Sequence, residues 1–233
     1  MSLGKTLTPV PETQQQMNGG IKGATRRLLL ESAMGLIRDG HVPSLPEVAK
    51  RAEVSRATAY RYFPSRSALI TAVIDWSLGS VRTFASDEPD GRKRVTELFT
   101  STFPRFKDFE PQMRAALQLS LEHWALERAG LLDEEPYRRG HRIAILRHAI
   151  EPLKSQLTAR TLDRLHKALS VVYGIEPYVV LKDIWGLDDK EVENIALWIA
   201  DTLVAATLQQ VSISKKQTLL GRLENTAPSR VNK

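Results

Sequence analysis

Apolar residues recur along most of the chain at the spacing of one helical face, without the strict alternation that builds half-buried strands. From Ile21 onward, Leu29, Ala33, Leu36 and Ile37 follow the i, i+4, i+7, i+8 pattern. Gly40, with Pro43 after it, stops that helix. Ser44 stands as an N-cap with Glu47 three residues on, a capping-box spacing, and opens a short helix over 45–52. Ser55 can cap another through Tyr62, and Pro64 breaks it. Ser65 caps a fourth, from Arg66 to about Phe84, with Leu69, Val73, Trp76 and Ser80 along one side. A loop with Pro89 follows, then helical segments over 93–107, 111–128, 135–153, 159–185 and 189–210. Pro177 should kink the fourth of these, and Gly186 ends it. There is no internal repeat, and the pattern predicts an all-α chain of about nine helices.

Length and composition fit that picture and narrow it. A chain of 233 residues, 42% hydrophobic and 26% charged, is long enough for one or two packed domains. With no cysteine there is no disulfide framework, thiolate metal site or cysteine nucleophile. The longest unbroken apolar run, residues 195–200, is far shorter than a membrane span and Asp201 ends it. The N-terminus shows no hydrophobic signal core, so a soluble cytoplasmic protein with no membrane partner is expected. Charge changes the picture more. Residues 1–85 hold eleven basic and six acidic side chains, a balance of +5, whereas the other 148 carry 22 and 21. A basic end on a nearly neutral body suits a polyanion partner, although a solvated basic face has the same composition.

The informative stretch lies inside that basic end. Two short helices, 45–52 and 55–62, are joined by a tight turn at Glu53 and Val54. Ala49 is small where the helices must approach, and Val48, Val54, Ala59 and Phe63 can form their shared core. This is helix-turn-helix geometry, in which the first helix braces the second so that its N-terminal residues meet base edges in the major groove. On the second helix Ser55, Arg56, Thr58, Tyr60, Arg61 and Tyr62 are polar or amphipathic. Arginine can bond guanine bidentately, and hydroxyls can bond phosphate. Arg66 opens the next helix, where the dipole and free N–H groups also favour a phosphate.

Residues 21–70 resemble the TetR family of bacterial transcriptional regulators. The resemblance rests on Thr25-Arg26, Ala33, Gly40, Val48-Ala49 and the run from Ala52 to Leu69, above all its Tyr-x-Tyr-Phe-x-Ser-basic-x-x-Leu ending. It implies a homodimer of helical subunits that binds a double-stranded operator through its head and a small molecule in its body, with repression the usual mode. The implied domains are a flexible arm over 1–20, a DNA-binding domain over 21–67 and a linking helix over 68–86. A ligand-binding and dimerisation domain over 87–212 and a flexible tail over 213–233 complete the set. At matching positions Arg56, Ala57 and Tyr60 would face bases, and Thr58, Tyr60 and Tyr62 would hold phosphates. Arg66 would take the place of a phosphate-binding lysine, and Ser44 would cap its helix and touch the backbone. Thr25 counts among the DNA-binding residues on the same ground. Glu53 departs from the family's turn glycine; if it is left-handed, it costs about 1 kcal/mol relative to glycine. Ala59 replaces a larger aliphatic residue. Leu45 and Pro46 stand where polar base-contacting side chains are common, which leaves most of the reading to the second helix of the motif.

The body offers two candidate surfaces. Leu162, Leu165, Leu169 and Val172 repeat at helical spacing, and the last helix is apolar on more than one side, with Ile195, Ile199, Leu203 and Ala206 on one and Trp198 off it. Such a helix needs two burial partners, the subunit core and, most simply, a second copy across a two-fold axis. Met113, Leu117, Ser120, Leu121 and Trp124 share a stripe, Phe103 precedes it, and Ile143 and Arg147 could face it. That set is a candidate ligand pocket and equally plain core. His141, His148 and Glu151 have helical spacing, but no metal site is expected from them without further ligands. The acidic run 133–135 reads as a solvated loop. No catalytic triad, phosphate loop or paired-carboxylate motif is present, so neither an enzyme nor a cofactor is expected. A DNA binder that senses no ligand, a helical enzyme with a DNA-binding head and a protein-only adaptor are the competing readings.

Overall fold

The computed structural model describes residues 20–226, and these are all-α with ten α-helices. They are α1 (Gly20–Arg38), α2 (Leu45–Arg51), α3 (Arg56–Tyr62), α4 (Arg66–Leu78), α5 (Gly91–Asp108) and α6 (Glu110–Ala129), then α7 (His141–Ala149), α8 (Ala159–Val172), α9 (Glu176–Asp183) and α10 (Asp189–Thr226). Single 3-10 turns occupy Gly79–Thr83 and Glu151–Ser155. Of the expected arm 1–20, residues 1–19 lie outside the described residues, as do residues 227–233, and Gly20 already opens α1. The described residues form two compact units, one of 20–84 with 102–141, the other of 85–101 with 142–226.

In the first unit α1 packs against α2, α4 and α6, and α4 also packs on α6. Leu29, Leu30, Ala33 and Ile37 of α1 and Leu69, Ile70 and Val73 of α4 are buried, but Leu36 and Trp76 are half-buried, and Ser80 is exposed because α4 ends at Leu78 rather than near Phe84. The face that α6 buries is Gln112, Met113, Ala115, Ala116, Leu119 and His123. The helix expected from residue 135 starts only at His141. Before it, the loop is held in non-helical form. The Tyr137 N–H donates to His123 Nδ1 at 3.1 Å, and Glu134 lies 3.3 Å from His123 Nε2. Burial pushes the Tyr137 phenol up to about 12, so it stays neutral at neutral pH.

In the second unit the segment expected as one kinked helix, 159–185, is two helices. Gly174 breaks it with φ 148, and Pro177 falls in the first turn of α9, where a missing N–H costs nothing. That break accounts for the tenth helix. The last helix runs to Thr226, past the expected end at 210 and into the segment expected as a tail, 213–233. By length and composition its Asp189–Ile213 stretch could cross a membrane. It packs instead on α8 and α9 through a fully buried row, Val192, Ala196, Ala200 and Val204. At its middle Asp201 accepts two hydrogen bonds from Arg92, at 2.5 and 2.7 Å, which hold its carboxyl below the usual range.

Candidate nucleic-acid interface

The motif helices are fixed by their ends. At the start of α2 the Glu47 carboxylate accepts from both the backbone N–H and the hydroxyl of Ser44, each at 2.7 Å. These bonds lower the Glu47 pKa and keep it ionised at the positive end of the helix. At the start of α3 the Ser55 hydroxyl accepts from the Thr58 N–H at 3.1 Å. Ser65 does the same for α4, accepting from Ala68 at 3.0 Å. The turn between α2 and α3 is a Schellman ending: Val54 N–H bonds to Ala49 O at 3.0 Å and Glu53 N–H to Lys50 O at 3.2 Å. It requires a left-handed residue after the cap, and Glu53 supplies it at φ 53. Val48, Ala49, Ala59 and Phe63 are buried between the helices, whereas Val54 is half-buried. Arg51 ties α2 back to α1 through Asp39, and its guanidinium lies 3.0 Å from where a side chain on Gly35 would begin.

Ala59 is the one buried residue of α3. Ser55, Arg56, Ala57, Tyr60 and Arg61 are exposed, and Thr58 and Tyr62 are half-buried. Tyr60 is 47% exposed, so it is no core aromatic. The Arg61 guanidinium lies 5.6 Å from the Tyr62 ring, which directs that pair along one side of the helix. The structure thus gathers Ser55, Arg56, Ala57, Thr58, Tyr60, Arg61 and Tyr62 on one short helix. Ser44 is half-buried at the neighbouring helix start, its hydroxyl turned to Glu47. Thr25 is half-buried on α1, and beside it the Arg26 guanidinium stacks 5.3 Å from the Phe63 ring.

Arg66 departs from expectation. It donates to Glu122 at 2.8 Å and to the Val42 carbonyl at 2.9 Å, and its Nε is buried. Its guanidinium braces α4 against α6 and the α1–α2 turn, so it is not presented to a phosphate. The helix start beside it is occupied too: the Ser67 N–H donates to Glu134 at 3.3 Å. Glu134, expected as a solvated loop acid, therefore sits where an anion favours a helix N-terminus. No local pattern signals either partner, since they lie 56 and 67 residues away.

The remaining candidate residues differ in burial and fall in both units. Phe103 and Met113 are buried in the core of the first unit, and Leu117 and Ser120 are half-buried. Leu121 and Trp124 are exposed, because the core face of α6 runs through Leu119 and His123 instead. Ile143 and Arg147, in the second unit, are exposed. Leu165 and Leu169 are fully enclosed in that unit's own core and cannot meet a second copy. Leu162, Val172, Ile195, Ile199 and Leu203 are half-buried, and Ala206 and Trp198, the latter 67% exposed, reach the surface. His141 pairs with Asp75 at 3.0 Å and His148 accepts from the Ser86 N–H at 3.3 Å. Among the described residues no group of three or more side chains could hold a metal ion.

Comparison with known proteins bears on this geometry. Residues 29–73 match the family model for bacterial regulatory proteins of the tetR family. The HTH-type transcriptional repressor LfrR of Mycolicibacterium smegmatis is 34% identical over 61 residues, which is 26% of this chain and 32% of that protein. The match therefore spans about a third of the relative's length. A TetR transcriptional regulator from Rhodococcus sp. RHA1 shares the fold at TM-score 0.52 and 16% identity, over 77% of this chain and 96% of that one. A tetR-family regulator from Streptomyces coelicolor does so at TM-score 0.53 and 17% identity, over 88% and 97%. The structural likenesses speak to fold, and the family model speaks to the head. Residues 29–73 thus match the helix-turn-helix domain of the TetR family of bacterial transcriptional regulators, on a chain that shares the all-α fold of these two solved regulators.

Proposed function

We propose that the chain is a cytoplasmic, non-enzymatic repressor that binds a pseudo-palindromic operator as a homodimer and leaves it when a small molecule binds its helical body. The observation that carries the reading is α3: a helix capped at Ser55, anchored through Ala59, with every other side chain exposed or half-buried. Arg56 and Tyr60 are assigned to base edges, with Ala57 against the groove. Ser55, Thr58, Arg61 and Tyr62 are assigned to phosphates, with Ser44 and Thr25 at the margins of the same surface.

Dimerisation is assigned to the outer ridge of α10, Ile195, Trp198, Ile199, Leu203 and Ala206, with Leu162 and Val172 of α8 beside it. Leaving a side chain the size of Trp198 in water forgoes about 1.5–3 kcal/mol of burial, which a second copy would recover. The ligand is assigned to the stripe of α6 formed by half-buried Leu117 and exposed Leu121 and Trp124, on the same argument. It would act by binding more tightly to the state whose heads fit the operator poorly.

The test is Arg56→Ala, measured by fluorescence anisotropy on an operator duplex and on a scrambled one. Loss of about 1–3 kcal/mol on the operator alone supports base reading. Equal loss on both duplexes would reduce Arg56 to a phosphate contact and remove the basis of the assignment.

A further inference from the structure

At the end of α1, where the chain turns toward the motif, the first unit holds a cavity of about 460 Å³ that the functional reading does not use. Its wall is made by the α1–α2 turn, the end of α5 and the first turns of α6. Ile37, Val42 and Ala115 line it, and all three are buried, so its floor is apolar. Its rim is cationic. Arg38, Lys107 and Arg114 face it together with one acid, Glu110. Arg114 and Glu110 cancel, with Nε and Oε1 2.8 Å apart. Arg38 and Lys107 are exposed and, among the described residues, make no ion pair. A concave site of this volume suits a small molecule. Two uncompensated cations above an apolar floor suit one with a negative head and an apolar body.

We propose that this cavity binds a small amphipathic anion, an aromatic or short-chain carboxylate or phosphate monoester, at the junction between α1 and the helix-turn-helix. An occupant would rest on Val42, whose carbonyl is held by Arg66 and which stands two residues before the Ser44 cap of α2. Occupancy would therefore bear on the link that sets α2 and α4. The binding claim stands apart from the DNA-binding reading, and only the coupling rests on it.

The probe is 2-naphthoate, titrated calorimetrically into the full-length protein without DNA. One molecule per chain is expected. The uncharged 2-acetylnaphthalene and inorganic phosphate should each bind at least tenfold more weakly, the first for want of charge and the second for want of an apolar body. The double substitution Arg38→Ala with Lys107→Ala touches exposed side chains, so it should leave the melting temperature unchanged and weaken naphthoate at least tenfold. Absence of saturable naphthoate binding, equal binding by the neutral analogue or by phosphate, or indifference to the double substitution overturns the site. Anisotropy with and without naphthoate then reads the coupling. Unchanged operator affinity with naphthoate bound overturns the coupling, while absence of operator binding by the unliganded protein counts against the DNA reading instead.

Discussion

Replacing Glu53 by glycine should make the protein more stable, although it removes a side chain from the centre of the motif. Among the described residues two helix endings share one pattern. After α6 the left-handed position is held by Gly130 at φ 67, with Gly130 N–H bonded to Glu127 O and Leu131 N–H to Leu126 O. After α2 the same pair of closing hydrogen bonds is made around Glu53. A side chain at such a position costs about 1–2 kcal/mol in steric strain. Glycine gives back about 0.5–1 kcal/mol through the greater freedom of its unfolded state. The difference, about 0.5–1 kcal/mol, corresponds to a rise of roughly 1–3 °C in melting temperature for a chain of this size. Glu53 is exposed, so its side chain contributes little to offset this. Glu53→Ala is the control, since it removes the same charge and keeps the strain. Thermal unfolding followed by circular dichroism should rank Gly above both Glu and Ala. A Gly variant no more stable than the Ala variant would refute the strain argument.

Arg66→Ala should lower the free energy of unfolding by about 1–3 kcal/mol, for a partly buried charge with two partners lost, yet leave the salt dependence of DNA binding unchanged. A fall of about one in the slope of log affinity against log salt would mean that Arg66 meets a phosphate after all. Asp75 is paired with His141 and Arg82. Burial alone would raise its pKa, but these partners outweigh burial and lower it. A depressed carboxyl stabilises the fold above its unfolded pKa, near 3.9, and that contribution disappears as pH falls through the folded value. Asp75→Asn should thus destabilise at pH 7, with the gap to wild type closing below about pH 4; a gap independent of pH would contradict the pairing. Trp198→Glu should shift sedimentation from dimer to monomer while leaving helicity intact, and a persistent dimer would move the interface elsewhere.

What is legible in the amino-acid order is local. The caps at Ser44, Ser55 and Ser65 and the stop at Gly40 each depend on residues within a few positions and appear as the spacing implies, whereas the left-handed Glu53 is suggested only by the family resemblance. The exposed face of α3 is legible for the same reason, since one small residue in a seven-residue helix leaves little choice of buried side. Pairings across the fold are not legible. Nothing near Arg66 in the chain points to Glu122, and nothing near the acidic run points to the start of α4. Helix faces are ambiguous where apolar residues occupy more than one side. On α6 the stripe through Leu121 and Trp124 competes with the one through Leu119 and His123, and packing selects the second. On α8 the regular row containing Leu165 and Leu169 reads as a dimer face, but both side chains are buried and α8 packs on α10. The separation of α8 from α9 turns on Gly174, whose φ of 148 the sequence leaves open because a following proline also permits a kinked helix.

The central claim is that the exposed face of α3 reads a specific duplex as one half of a two-fold pair. Repeated binding selection from a pool of randomised duplexes, followed by sequencing, tests it whatever the operator is. The account predicts enrichment of an inverted repeat whose half-sites lie about 34–36 Å apart or a multiple of that, and loss of the enrichment in Arg56→Ala. A bound pool indistinguishable from the input, with affinity that varies only with salt, would contradict it.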